Sequence, residues 1–297
     1  KQQMDSERGH SRKLLVAGYE FLGQIFFMYI ATVSGVSGSD SWGIAGPLGL
    51  FVVVNIFGGI SGGHFNPAVT LGVYVREAKF AENLVFMLMY IVAQVCGAIV
   101  GCLLATLTSR IRYQGEFKVP LSAPLLLPSK FTKGYDEEGN EISLLPALMD
   151  GSAEFEKNEI WEVIYMEIMP TFVFVLFILY VTGKKTQASD LGTFGVFGIC
   201  LNLWALCNVD WYTGASMNPA LAVGQSIFQY WHWEGTANRD LMLFYMPFYM
   251  IGAAIGGCCA GGFYHFLAAQ FPDKDEHEKV HQSHSPTNSY NAGSINQ

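Results

Sequence analysis

Two tripeptides hold most of the chemistry available to this chain. Asn66-Pro67-Ala68 follows Ser61-Gly62-Gly63-His64-Phe65, and Asn218-Pro219-Ala220 follows Thr213-Gly214-Ala215-Ser216-Met217. Each is a glycine-bearing approach, then Asn, then an apolar helical pattern. Proline suits the first turn of a helix, where its missing N–H has no partner to lose. The Asn before it can cap that helix while its side-chain amide faces a lumen. A helix start also gathers partial positive charge. Two such starts brought together disfavour a cation between them, while the amides can donate to water or to a hydroxyl group. One Asn-Pro-Ala is a weak signal; a matched pair is a strong one.

Other polar residues lie in apolar surroundings. Glu20 and Glu167 each precede one of the tripeptides within an apolar run, and a buried carboxylate in a membrane span is a functional candidate by default. His64 stands two residues before Asn66 and reads as a hydrogen-bonding residue rather than a pH gate, although its ring titrates near neutrality. No nucleophile, base or metal constellation accompanies them, so catalysis is not expected. The cysteines (Cys96, Cys102, Cys200, Cys207, Cys258, Cys259) fall in apolar runs without a CxxC or metal spacing and read as small apolar residues. His277, His281 and His284 have loose ligand spacing in a polar tail, which reads as disordered rather than as a metal site. No cofactor is expected.

The elements that must position these residues are membrane spans. Hydrophobic residues make up 51% of the 297, and charged residues only 14%, against about 25% in ordinary soluble domains. The net charge of −8 argues against nucleic acid as a partner. Crossing the hydrocarbon core takes about 20 apolar residues, and six runs qualify: 14–34, 44–61, 84–108, 160–182, 190–208 and 241–269. Shorter apolar segments with Pro and Gly lie at 65–76 and 217–229. Non-helical backbone at membrane depth is tolerated where protein or a water-filled cavity satisfies it. Three spans per half insert the second half upside down, an arrangement that points to a central site. The first span is too long for a signal-peptide core and lacks a clear cleavage site.

Short-loop basic residues, including Arg12, Lys13, Arg76, Lys79, Lys184 and Lys185, place both termini in the cytoplasm. The expected organisation is a tail at 1–13, a channel-like domain at 14–270 and a disordered tail at 271–297. The loop 109–159 lies on the outer or lumenal side as a covering flap. Trp211, Trp231 and Trp233 suit an interface belt, and Gly97, Gly101, Gly252, Gly256 and Gly257 suit close helix crossings. In the connection Gly183–Asp190, the lysines read as topology determinants. Thr186 and Ser189 are expected to be exposed hydroxyls that a kinase could modify.

The paired Asn-Pro-Ala turns in an inverted six-span repeat resemble the aquaporin (major intrinsic protein) family over residues 14 to about 270. Glu20-Phe21-Leu22-Gly23, Glu167 with Thr171, and Gln94-Val95-Cys96-Gly97-Ala98 agree with its pattern. The resemblance implies an all-α membrane fold of six transmembrane helices and two re-entrant half-helices, an hourglass pore in each subunit and a homotetramer. Glu20 and Glu167, with His64 and Gln94, would then support the half-helix loops. The outer constriction would be lined by Gly46, Leu206, Ala215 and Leu221. Leu221 stands where most of the family has Arg, so ion exclusion would rest on helix dipoles and on an apolar, wide ring. The expected function is passive flux of water and small neutral solutes such as glycerol or urea, across the plasma membrane or a vacuole-type membrane. The alternative is a structural or adhesive membrane protein whose pore is occluded.

Overall fold

Backbone that crosses hydrocarbon must satisfy its own hydrogen bonds, and the apolar runs do so as helices. The computed structural model describes residues 2–36, 42–112, 126–152, 158–183, 186, 192–209, 212–233 and 237–271. In chain order these include α1 (Gln2–Val36), α2 (Trp42–Ser61), α3 (Pro67–Glu77), α4 (Phe80–Arg112), a hairpin of β1 (Lys133–Tyr135) and β2 (Glu141–Ser143), and the short α5 (Leu145–Asp150). They continue with α6 (Ile160–Thr182), α7 (Gly192–Val209), α8 (Pro219–His232) and α9 (Asp240–Ala268). Among the described residues, five helices are long and apolar enough to cross a membrane. The sixth, α7, has 18 residues, which at the helical rise span about 27 Å. The half-helices are α3 and α8.

The two halves repeat the same crossing. A Cβ on Gly97 of α4 would sit 2.5 Å from the Phe21 carbonyl oxygen of α1, the residue after Glu20. A Cβ on Gly256 of α9 would sit 2.6 Å from the Ile168 carbonyl oxygen of α6, the residue after Glu167. Only a residue without Cβ lets these backbones meet so closely. Gly257 does the same against the half-helix α3, where a Cβ would fall 2.2 Å from the Ala68 carbonyl oxygen. The close crossings fix where α1 and α6 hold their carboxylates.

α6 and α9 run parallel, beginning at one face of the protein, the loop face, and ending at the other, the terminal face. Part of the expected flap packs onto the loop face. Leu126, Leu127, Phe131 and Leu148 are buried there. The Ser129 N–H donates to the Tyr212 carbonyl at 2.8 Å, and Asn238 Nδ2 donates to the Leu148 carbonyl at 2.8 Å. Lys130 donates to Glu159 at 2.5 Å and also to Asn158, and the Tyr212 hydroxyl donates to Glu159. Glu159 therefore ties the loop to the approach of the second half-helix.

A pH dependence follows from Glu159. The hydrogen bond from Lys130, then that from Tyr212, holds its carboxyl below the usual carboxylate range. A depressed folded value means that the tie contributes fully above the unfolded carboxylate's pKa and is lost as pH falls through the folded one. Limited proteolysis within 126–152 should accelerate on acidification below the usual Glu range. Glu159→Gln should show the fast cleavage already at neutral pH. Equal cleavage of parent and variant at every pH would remove Glu159 from the tie.

Candidate functional site at the paired Asn-Pro-Ala turns

The approach to each half-helix runs through backbone conformations that L side chains resist. Phe65 has φ 44°, and Ala215 and Met217 have φ 56° and 46°. Non-glycine residues in that region cost about 1–3 kcal/mol each and persist only where their surroundings over-determine them. The buried carboxylates provide that. Glu20 accepts from the His64 N–H at 3.1 Å, the Phe65 N–H at 2.7 Å and Gln94 Nε2 at 2.8 Å. Glu167 accepts from the Ser216 N–H at 3.0 Å, the Met217 N–H at 2.8 Å and the Thr213 hydroxyl at 3.0 Å. Both are fully buried.

Each Asn then performs two tasks. Asn66 Oδ1 accepts from the Ala68 N–H at 2.8 Å and caps α3, while its Nδ2 donates to the Met217 carbonyl at 2.8 Å. Asn218 Oδ1 accepts from the Ala220 N–H at 3.0 Å and caps α8, while its Nδ2 donates to the Phe65 carbonyl at 2.9 Å. The two loops are thus cross-tied by the capping residues themselves. A carboxamide nitrogen carries two hydrogens, so each Asn has a second N–H to offer. Two half-helix starts face each other here with their positive ends converging.

Between them lies a cavity of about 20 Å³, lined by both Asn residues, Gly46, Ala215, Leu221, Leu203, Cys207, Phe27 and Phe174 among others. Holding a water requires at least about 10–15 Å³, so the space has room for about one water. Toward the terminal face, sharing lining residues with it, lies a vestibule of about 550 Å³ whose lining includes Arg76. The Arg76 guanidinium donates to the Thr182 hydroxyl at 2.9 Å and so joins the ends of α3 and α6.

Of the four residues expected at the outer constriction, Gly46, Ala215 and Leu221 line the cavity. Leu206 is not among its lining residues; α7 presents Leu203 and Cys207 instead, one helical turn apart. His64 lines both cavities and shares a 3.1 Å hydrogen bond with Thr70, to which Gln94 Nε2 donates at 2.9 Å.

Two sequence expectations need correction. Thr186 is buried, not exposed, because its hydroxyl turns inward to donate to the Tyr180 carbonyl at 2.5 Å. Trp233 is likewise fully buried within the protein, whereas Trp231 is exposed. Ser189, Lys184, Lys185, Trp211, His277, His281 and His284 lie outside the described residues.

Sequence reasoning missed two tyrosines. Tyr90 donates to the Ser61 carbonyl at 2.6 Å, and Tyr249 to the Thr213 carbonyl at 3.0 Å. Each anchors the start of one approach loop. The signal was available: both lie seven residues before the matched crossing glycines, Gly97 and Gly256.

The family description Major intrinsic protein matches residues 9–265. The chain is 31% identical to Glycerol uptake facilitator protein-like 6 of Lactiplantibacillus plantarum, over 81% of this chain and 94% of that protein. It is 27% identical to Aquaporin TIP1-1 of Zea mays, over 87% and 88% of the two chains. Its fold matches the X-ray structure of the aquaglyceroporin from Plasmodium falciparum with a TM-score of 0.61 at 18% identity, over 86% of this chain and 95% of that one. With its two capped half-helices tied tip to tip between the membrane helices, the chain belongs to the major intrinsic protein family of membrane channels, which are not enzymes.

Proposed function

We propose that the chain conducts water and small neutral solutes of the glycerol or urea class passively, through one pore in each subunit of a homotetramer. The observation that carries this reading is the small cavity between the two capping amides, set against the larger vestibule with which it shares three lining residues. A permeant crossing it exchanges hydrogen bonds with water for hydrogen bonds with the free N–H of Asn66 and Asn218. A cation gains no such exchange and meets two positive helix ends. Gly46, Ala215 and Leu221, with Leu203 and Cys207, make an apolar ring without an ionised side chain, which favours neutral solutes larger than water.

The exterior suits a bilayer: Val52, Ile56, Val85, Leu88 and Val92 are exposed. The basic short loops support cytoplasmic termini. The small central cavity also favours a second reading, a structural or adhesive membrane protein with an occluded pore. Osmotic swelling of proteoliposomes separates the two: the channel reading expects water flux above that of protein-free vesicles, and a flux equal to theirs would leave the occluded reading standing. In a conducting protein, Leu221→Arg should slow glycerol and urea while water still passes. Unchanged solute flux in that variant would show that Leu221 is not at the constriction.

A further inference from the structure

The central cavity and the vestibule differ greatly in size, about 20 Å³ against about 550 Å³, and three side chains line both: Leu50, His64 and Phe174. They stand at the neck between the two spaces. Two of the three are tethered or small. His64 is held by Thr70 at 3.1 Å and packs on Tyr90 with ring centroids 5.2 Å apart. Leu50 is a buried aliphatic side chain on α2. Phe174 is the largest and brings a flat ring from α6, two turns beyond Glu167, with 3% of its surface exposed.

We infer that this inner neck, rather than the ring around Leu221, sets the size limit of the pore, and that Phe174 is its specificity-determining residue. The inference rests on the channel reading above and deepens it. Pore diameter is one of the main determinants of selectivity in narrow channels. The Leu221 ring includes Gly46 and Ala215, whose side chains occupy little space. The neck's other side chains, Leu50 and His64, are both larger than those of Gly46 and Ala215, so a solute must pass the Phe174 ring and the His64 imidazole together. The solutes it would admit are slim polar molecules such as urea and glycerol. Branched or longer polyols would be stopped there.

The test compares proteoliposomes of the full chain for water, urea, glycerol, erythritol and xylitol flux, using the parent, Phe174→Ala, Phe174→Trp and Leu221→Ala. Phe174→Ala should raise erythritol permeability relative to water by about tenfold or more, and by more than Leu221→Ala does. Phe174→Trp should lower glycerol relative to water. It also keeps the question answerable if the smaller variant fails to insert. A parent that passes no water and a Phe174→Ala variant that does would equally support the neck, as a plug. Water flux in the parent, with parental solute ratios in both Phe174 variants, would overturn the inference and leave the channel reading intact. No water flux in any variant would end the channel reading, and the inference with it.

Discussion

Glu167→Gln should cost the protein about 3 kcal/mol or more, because two backbone N–H groups and a hydroxyl converge on one buried carboxylate. A carboxamide oxygen can still accept from one side. Its nitrogen then points a donor at another donor, the Met217 N–H if the oxygen serves Ser216 and Thr213. Met217 has φ 46° and Ala215 φ 56°, so the released loop would relax toward conformations these residues prefer. Met217 also presents the carbonyl that Asn66 ties to, so the damage would spread to the first half-helix. Glu20→Gln should behave alike, through the His64 and Phe65 N–H groups. By contrast, Thr213→Val removes one neutral hydroxyl from the same carboxylate and should cost only about 1 kcal/mol. Unfolding in mixed detergent, monitored by helical circular dichroism, gives the ranking. A Gln variant as resistant as the parent would show that the loops hold themselves.

Those carboxylates illustrate what the amino-acid sequence displays and what it conceals. Span positions were readable because hydrocarbon demands long apolar runs: the expected 160–182 and 241–269 correspond to Ile160–Thr182 and Asp240–Ala268. The half-helices were readable from Asn-Pro, since cap chemistry and a fixed proline φ mark a helix start whatever surrounds it. Rotation about a helix axis was harder. Counting back from Asn218 without gaps selects Leu206, while α7 turns Leu203 and Cys207 to the cavity. An irregular loop separates that helix from Asn218, and no period runs through it. Thr186 failed for a related reason. Hydroxyls near lysines read as solvated, but a hydroxyl at a helix end can instead satisfy one of the carbonyls left open there, as Thr186 does at Tyr180. Tyr90 and Tyr249 look like ordinary apolar-span aromatics until their seven-residue offset from the crossing glycines is noticed.

Asn218→Asp should open the pore to cations. The carboxylate would still accept from the Ala220 N–H, so the cap on α8 survives, and a negative charge at a helix start is favourable by about 0.3–1 kcal/mol. What it cannot do is donate to the Phe65 carbonyl, which the parent amide reaches at 2.9 Å. That loss costs about 1–3 kcal/mol and loosens the tie between the two loops. The larger consequence is electrostatic. A unit charge about 4 Å from a passing cation attracts it by about 4 kcal/mol at an effective dielectric constant of 20. Two helix ends, each equivalent to about half a charge, oppose it by about as much at the same distance, so the dipole part of the barrier should be largely cancelled. Sodium entry into proteoliposomes, followed with a potential-sensitive dye, should rise by about two orders of magnitude or more by the same estimate. Water flux should change far less. Asn218→Ala separates charge from geometry, because it removes the cap and the cross-tie but adds no charge: it should destabilise the fold without a comparable cation leak. If Asn218→Asp folds, conducts water and remains as tight to sodium as the parent, the capping residues do not govern ion exclusion, and the selectivity must reside elsewhere along the pore.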